Sequence, residues 1–94
     1  MKHYLFVDDD VIFNVIHSKS VSMIDESAQI TTYSSSKQAL DSILAILDRG
    51  LQTPDYVFFD INMPQITGFE LIDQVISKHP TAFDNSICFI LSSS

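Results

Sequence analysis

The chain has 94 residues and a mass of 10.6 kDa, enough for one domain with one core and too little for two. Hydrophobic residues make up 46% and charged residues 18%, with two Gly and three Pro, which excludes a disordered tail and fits a packed domain. Five Lys and Arg against twelve Asp and Glu give a net charge of −7, which argues against a surface for nucleic acid or anionic lipid. A lone cysteine, Cys88, excludes an internal disulfide and a multi-Cys zinc site. The apolar start is broken early by Asp8, Asp9 and Asp10, so neither an export signal nor a membrane span is read, and a cytoplasmic protein is the default expectation.

In chain order, HYLFV at 3–7 is a short β-prone run that ends in the three aspartates, the pattern of a buried strand with charge at its C-terminal end. From Val11 to about Met23 the apolar positions Ile12, Val15, Ile16 and Met23 predict an amphipathic helix, with Asp10 or Asp9 as its cap. AQITTY at 28–33 is β-branched and reads as the second strand. Ser35 and Gln38 have capping-box spacing, Leu40, Ile43, Leu44 and Leu47 recur on one helical face, and Arg49 with Gly50 supplies the stop. DYVFFD at 55–60 is a third strand, again closed by a carboxylate. After a loop, Thr67 and Glu70 form another capping-box pair, and Ile72, Val75, Ile76 and His79 mark a helix that Pro80 ends. SICFIL at 86–91 is the last strand. Strands alternating with helices in this way predict an α/β domain over 1–94 with a parallel sheet and right-handed crossovers.

In open α/β sheets, ligands bind beyond the carboxyl ends of the strands. Asp8, Asp9 and Asp60, distant in sequence, are therefore expected to converge there. Carboxylates crowded into a crevice repel one another, and a divalent cation is the economical remedy. With no His or Cys beside them, oxygen ligands favour a hard ion such as Mg²⁺. An Asp carboxylate can itself accept a phosphoryl group, so the set has the makings of a phosphoryl-transfer centre. Each part also has a plain structural reading: strand-end aspartates commonly cap helices, although Asp60 lies seven positions before Thr67 and is poorly placed to do so. His3, His17 and His79 have no ligand spacing and are expected at the surface or filling faces. Ser34, Ser35 and Ser36 read as loop and cap, and Cys88 as an inert buried thiol.

The acidic VDDD at 7–10, FFDINMPQITG at 58–68 with its D-x-x-M-P-x-x-x-G spacing, and ILSSS at 90–94 together resemble the receiver domain of response regulators in two-component signalling. The resemblance spans the whole chain. It implies a flavodoxin-like doubly wound parallel sheet, order 2-1-3-4 here, with the family's fifth strand and last two helices missing beyond Ser94. It implies that Asp60 is the phosphoacceptor, served by a histidine kinase or a histidine phosphotransfer protein. Mg²⁺ would be held by Asp9, Asp60 and the backbone carbonyl of Asn62, and by Asp8 through water. Ser92 would be the phosphate-sensing hydroxyl and Ser93 the small residue after it. Met63, Pro64 and Gly68 would shape the loop. No Lys takes the family's phosphate-binding place, since Lys2, Lys19, Lys37 and Lys78 lie in other elements. The resemblance implies a regulatory phosphoacceptor and not an enzyme, with self-phosphorylation and dephosphorylation as its only chemistry. Two alternatives stand beside it. One is a degenerate receiver acting only as an interaction module. The other is a phosphatase of the haloacid dehalogenase type, which wants a second Asp where Asn62 stands. An apolar fourth strand with no fifth beside it also predicts self-association along that edge.

Overall fold

The computed structural model describes residues 2–60, 63 and 65–91. Four strands and three helices alternate: β1 (His3–Val7), α1 (Val11–Ile24), β2 (Gln29–Tyr33), α2 (Ser36–Asp48), β3 (Tyr56–Asp60), α3 (Gly68–Lys78) and β4 (Ile87–Leu91). All pairings are parallel and the strand order is β2-β1-β3-β4, as expected. Three of the strands begin one residue later than the sequence pattern placed them. No helix among the described residues is long and apolar enough to cross a membrane.

Alternation along β1 and β3 builds two different faces. Leu5 and Val7, with Val57 and Phe59, face α2 and α3 and form the core with Ala39, Leu40, Ile43, Leu71 and Val75. Met63, from the loop after β3, is buried in the same cluster. The opposite face is aromatic. His17 of α1 stacks on Phe6 at 5.3 Å, Phe6 on Phe58 at 4.8 Å, and Phe58 on Phe89 at 4.7 Å, so one ladder of rings crosses β1, β3 and β4. Tyr4 and Tyr56 stack at 4.9 Å one step nearer the start of the strands.

Helix ends follow the local chemistry. The Asp10 side chain accepts the Ile12 N–H and caps α1. Ser35 accepts the Gln38 N–H and caps α2. At the other end of α2, Gly50 has φ 75, and the bonds from Gly50 N–H to the Leu47 carbonyl and from Leu51 N–H to the Ile46 carbonyl make a Schellman turn. At α3 the Thr67–Glu70 box is complete in both directions.

Two helix faces differ from the pattern in the sequence. On α3 the buried line is Gly68, Leu71 and Val75, while Ile76 is 41% exposed. The roll is set at Gly68, where an added Cβ would lie 2.9 Å from the Phe59 Cβ, so this turn of the helix sits directly on β3. The reversal on α1 is larger. Ile12, Val15, Ile16 and Met23, nominated as its apolar face, are all exposed, and its one fully buried residue is Asn14. Val11, Ile12, Phe13, Val15 and Ile16 are so closely spaced that hydrophobicity selects no face. The roll is decided instead by hydrogen bonds from Asn14 to the strand ends, which turn Asn14, His17, Ser18 and Val21 towards the sheet.

Candidate functional site

β1 and β3 are neighbours and run parallel, so their last residues emerge at the same edge of the sheet. The chain leaves β1 through Asp8 and Asp9, and Asp60 is the last residue of β3. Carboxylate oxygens of Asp8, Asp9 and Asp60 lie within 4.8 Å of one another, although the outer two are far apart in the sequence. Asp8 and Asp60 are buried and Asp9 is exposed. The cluster is thus a shallow acidic notch with two carboxylates in its floor and one at its lip.

Local bonds hold the notch. The Asp8 N–H donates to the Tyr33 carbonyl at 3.1 Å, extending the β1–β2 ladder by one step past the strands. Asp8 Oδ1 accepts the Asp10 N–H at 2.9 Å, which orients its carboxylate. Gly68 packs against Phe59 and close to the Asp60 carbonyl, bringing α3 tightly against the end of β3. Gln65, in the loop between them, has φ 70, a left-handed conformation that costs a non-glycine residue of order 1 kcal/mol and is held by its surroundings. Ser36, at the start of α2, accepts the Ile66 N–H at 3.3 Å and ties that loop back to the body of the domain.

Burial raises the Asp8 pKa above the ordinary carboxylate value; the Asp10 N–H opposes the shift, and repulsion from Asp60, Asp9 and Asp10 adds to it. A hard divalent cation fits this donor set. The ligands are all oxygen, two are withdrawn from water, and like charge acts on Asp8 from three sides.

Of the residues assigned from sequence, Asp8, Asp9 and Asp60 are brought together, Met63 is buried in the hydrophobic core, and Gly68 is at the contact of α3 with β3. Asn62, Pro64, Ser92 and Ser93 lie outside the described residues. Asp10 is the helix cap and not part of the cluster. His79 pairs with Asp48 at 2.9 Å, and His3 meets Thr31 at 2.9 Å, both away from the acidic edge. Cys88 is half-buried and burial pushes its thiol pKa up, in keeping with an inert side chain. Sequence reasoning missed Asn14 and the tie from Ser36 to the loop. The available signal was an amide side chain at a mid-helix position in an otherwise apolar VIFNVI run.

No protein-family model matches the chain. Among solved structures, a two-component response regulator from Cytophaga hutchinsonii superposes with a TM-score of 0.87 and 30% identity, over 100% of this chain and 70% of that one. The chain belongs to the response regulator receiver family. More distant receivers share the fold. The receiver domain of the histidine kinase CKI1 from Arabidopsis thaliana, complexed with Mg²⁺ and BeF₃⁻, matches at 21% identity and a TM-score of 0.78, over 99% of this chain and 66% of that one. TrrA from Thermotoga maritima, also in a complex with Mg²⁺ and BeF, matches at 23% identity and a TM-score of 0.75, over 100% of this chain and 71% of that one. In this receiver the acidic notch lies at the carboxyl edge of the sheet, the place that open α/β folds use for ligands.

Proposed function

We propose that this receiver accepts a phosphoryl group on Asp60 from a phosphohistidine of a histidine kinase or phosphotransfer protein, with Mg²⁺ held by Asp9 and Asp60 and, through water, by Asp8. The observation that carries the reading is the convergence of these three carboxylates at the ends of two adjacent strands. An Asp60 carboxylate oxygen attacks phosphorus, the bond from phosphorus to the donor imidazole nitrogen breaks, and the imidazole leaves with the electron pair and takes up a proton. Asp60 is left as an acyl phosphate. Asp9 at the exposed lip of the notch and Asp60 in its floor would both be metal ligands, and Asp8, anchored by the Asp10 N–H, would hold a water of the ion. A bound Mg²⁺ supplies positive charge to the phosphoryl oxygens as charge builds on them. By family resemblance, the Asn62 carbonyl would be a further metal ligand and the Ser92 hydroxyl would meet the phosphoryl group. The receiver acts here as a regulatory acceptor whose own chemistry is limited to gaining and losing the phosphoryl group.

A donor must approach the notch from the carboxyl edge of the sheet, and α1 begins there, two residues after Asp9. Val11, Ile12, Val15 and Ile16 are between 47% and 69% exposed there, an apolar strip suited to a helical protein partner.

Incubation with a small phosphodonor and Mg²⁺, followed by intact-mass measurement, tests the reading. Wild type is expected to gain one hydroxylamine-labile phosphoryl group, Asp60→Asn to gain none, and Asp9→Asn to react more slowly. Label retained in Asp60→Asn places the chemistry elsewhere.

A further inference from the structure

Asn14 faces the sheet from the first turns of α1 and is 4% exposed. Its Nδ2 donates two hydrogen bonds, to the Asp8 carbonyl at 3.0 Å and to the Tyr33 carbonyl at 3.2 Å. Tyr33 also accepts the Asp8 N–H, so a single amide side chain joins α1 to both strands where β1 gives way to the acidic loop. Its Oδ1 is buried and has no partner among the described residues.

A helix that merely had to cover the sheet would place an apolar residue here, and α1 has five of them in its first six positions, all exposed. An orphaned buried acceptor costs of order 1–3 kcal/mol, while each neutral hydrogen bond returns about 1 kcal/mol net, so stability alone gives the amide little advantage. What the amide does fix is backbone geometry. The Asp8 carbonyl belongs to the same peptide plane as the Asp9 N–H, and the Asp10 N–H, held by Asp8 Oδ1, belongs to the plane on the other side of Asp9; with both planes held, the Asp9 backbone dihedrals and the direction of its Cβ are set. Asp8 has an anchor of its own through the Asp10 N–H. Asp9 is exposed and makes no side-chain hydrogen bond among the described residues, so the two peptide planes that flank it are what aim it.

We propose that Asn14 is a positioning residue for the divalent metal, acting through the Asp8–Asp9 peptide to hold the Asp9 carboxylate towards Asp60. The inference rests on the metal reading of the preceding section. Partners one step behind metal ligands typically change affinity by about 10–100-fold when removed.

The test is a Mg²⁺ titration followed by amide chemical shifts in wild type, Asn14→Ala and Val75→Ala. Val75 is a fully buried residue of α3, and its truncation is a control for lost stability away from the notch. Asn14→Ala is expected to bind Mg²⁺ about tenfold or more weakly, and folded Val75→Ala to bind like wild type. If Asn14→Ala binds like wild type, or Val75→Ala weakens binding equally, the positioning role is overturned while the metal site stands. Should wild type bind no Mg²⁺ at millimolar concentrations, the metal reading falls and the inference falls with it. If Asn14→Ala does not fold, the wild-type Asn14 side-chain amide signals decide: they are expected to resist exchange and to shift on Mg²⁺ addition, and unshifted signals overturn the proposal.

Discussion

Asp8 is the least comfortable residue of the acidic notch, because burial disfavours its charge and three neighbouring aspartates repel it. A raised carboxyl pKa means that the folded protein holds this proton more tightly than the unfolded chain does. Ionised Asp8 therefore opposes folding fully above its raised folded value, and the opposition is gone below about pH 4, near the ordinary carboxylate value. Asp8→Asn keeps the shape and can still accept the Asp10 N–H. In the presence of a chelator its urea midpoint is expected to exceed that of wild type at neutral pH, to lose the advantage near pH 4, and to be accompanied by weaker Mg²⁺ binding. A midpoint below that of wild type at neutral pH would refute this electrostatic account. Gly68 makes a steric demand beside the same site. Gly68→Ala forces a Cβ to 2.9 Å from the stem of Phe59, a core residue with no room to retreat, and is expected to lower stability by about 1–3 kcal/mol in urea unfolding. An unchanged midpoint would mean that α3 can lift off β3 freely. The three aspartates and this glycine were legible because each sits at a boundary between elements, where sequence punctuation is strong. Asn14 was not, because its role depends on two carbonyls, one of them 19 residues away, that no local pattern announces.

Among the elements, α2 and α3 have the distinct apolar stripes that make a helix readable, and their caps were found at Ser35 and Thr67, although on α3 the buried line runs through Gly68, Leu71 and Val75 and leaves the nominated Ile76 exposed. For α1 the boundaries were readable and the orientation was not. A helix whose first two turns are apolar on nearly every side offers hydrophobicity no single answer, and two hydrogen bonds from one amide side chain are enough to choose the roll. The consequence separates folding from recognition. Ile43→Ala, in the α2 stripe, empties a fully buried site and is expected to cost about 2–5 kcal/mol. Ile16→Gln, on the exposed side of α1, is expected to move stability by less than about 0.5 kcal/mol, yet to slow phosphoryl transfer from a protein donor while leaving reaction with a small phosphodonor unchanged. Equal slowing with both donors would remove α1 from the docking surface.

At the scale of the whole domain, alternation of strands and helices was sufficient to give a parallel sheet, and family resemblance supplied the order in which the strands lie. β4 is the outermost strand among the described residues, with Ile87 52% and Phe89 41% exposed on the aromatic face. The 94-residue chain is accordingly expected to self-associate along this side, and sedimentation across a dilution series checks it; a monomer throughout the micromolar range contradicts it. The paired rings at the opposite end of the strands have a further use. The chain has no Trp and three Tyr, so its near-ultraviolet dichroism in the tyrosine band comes largely from how those three rings are held. Tyr4 and Tyr56 are locked face to face on β1 and β3, four residues before Asp8 and Asp60 respectively and roughly 13 Å from the notch. Tyr33 ends β2 beside the notch and its ring can report on the metal, whereas the share contributed by the Tyr4–Tyr56 pair should vanish in one step with the sheet and stay silent while metal binds at the far end, giving the domain an intrinsic gauge of folding that its ligand does not disturb.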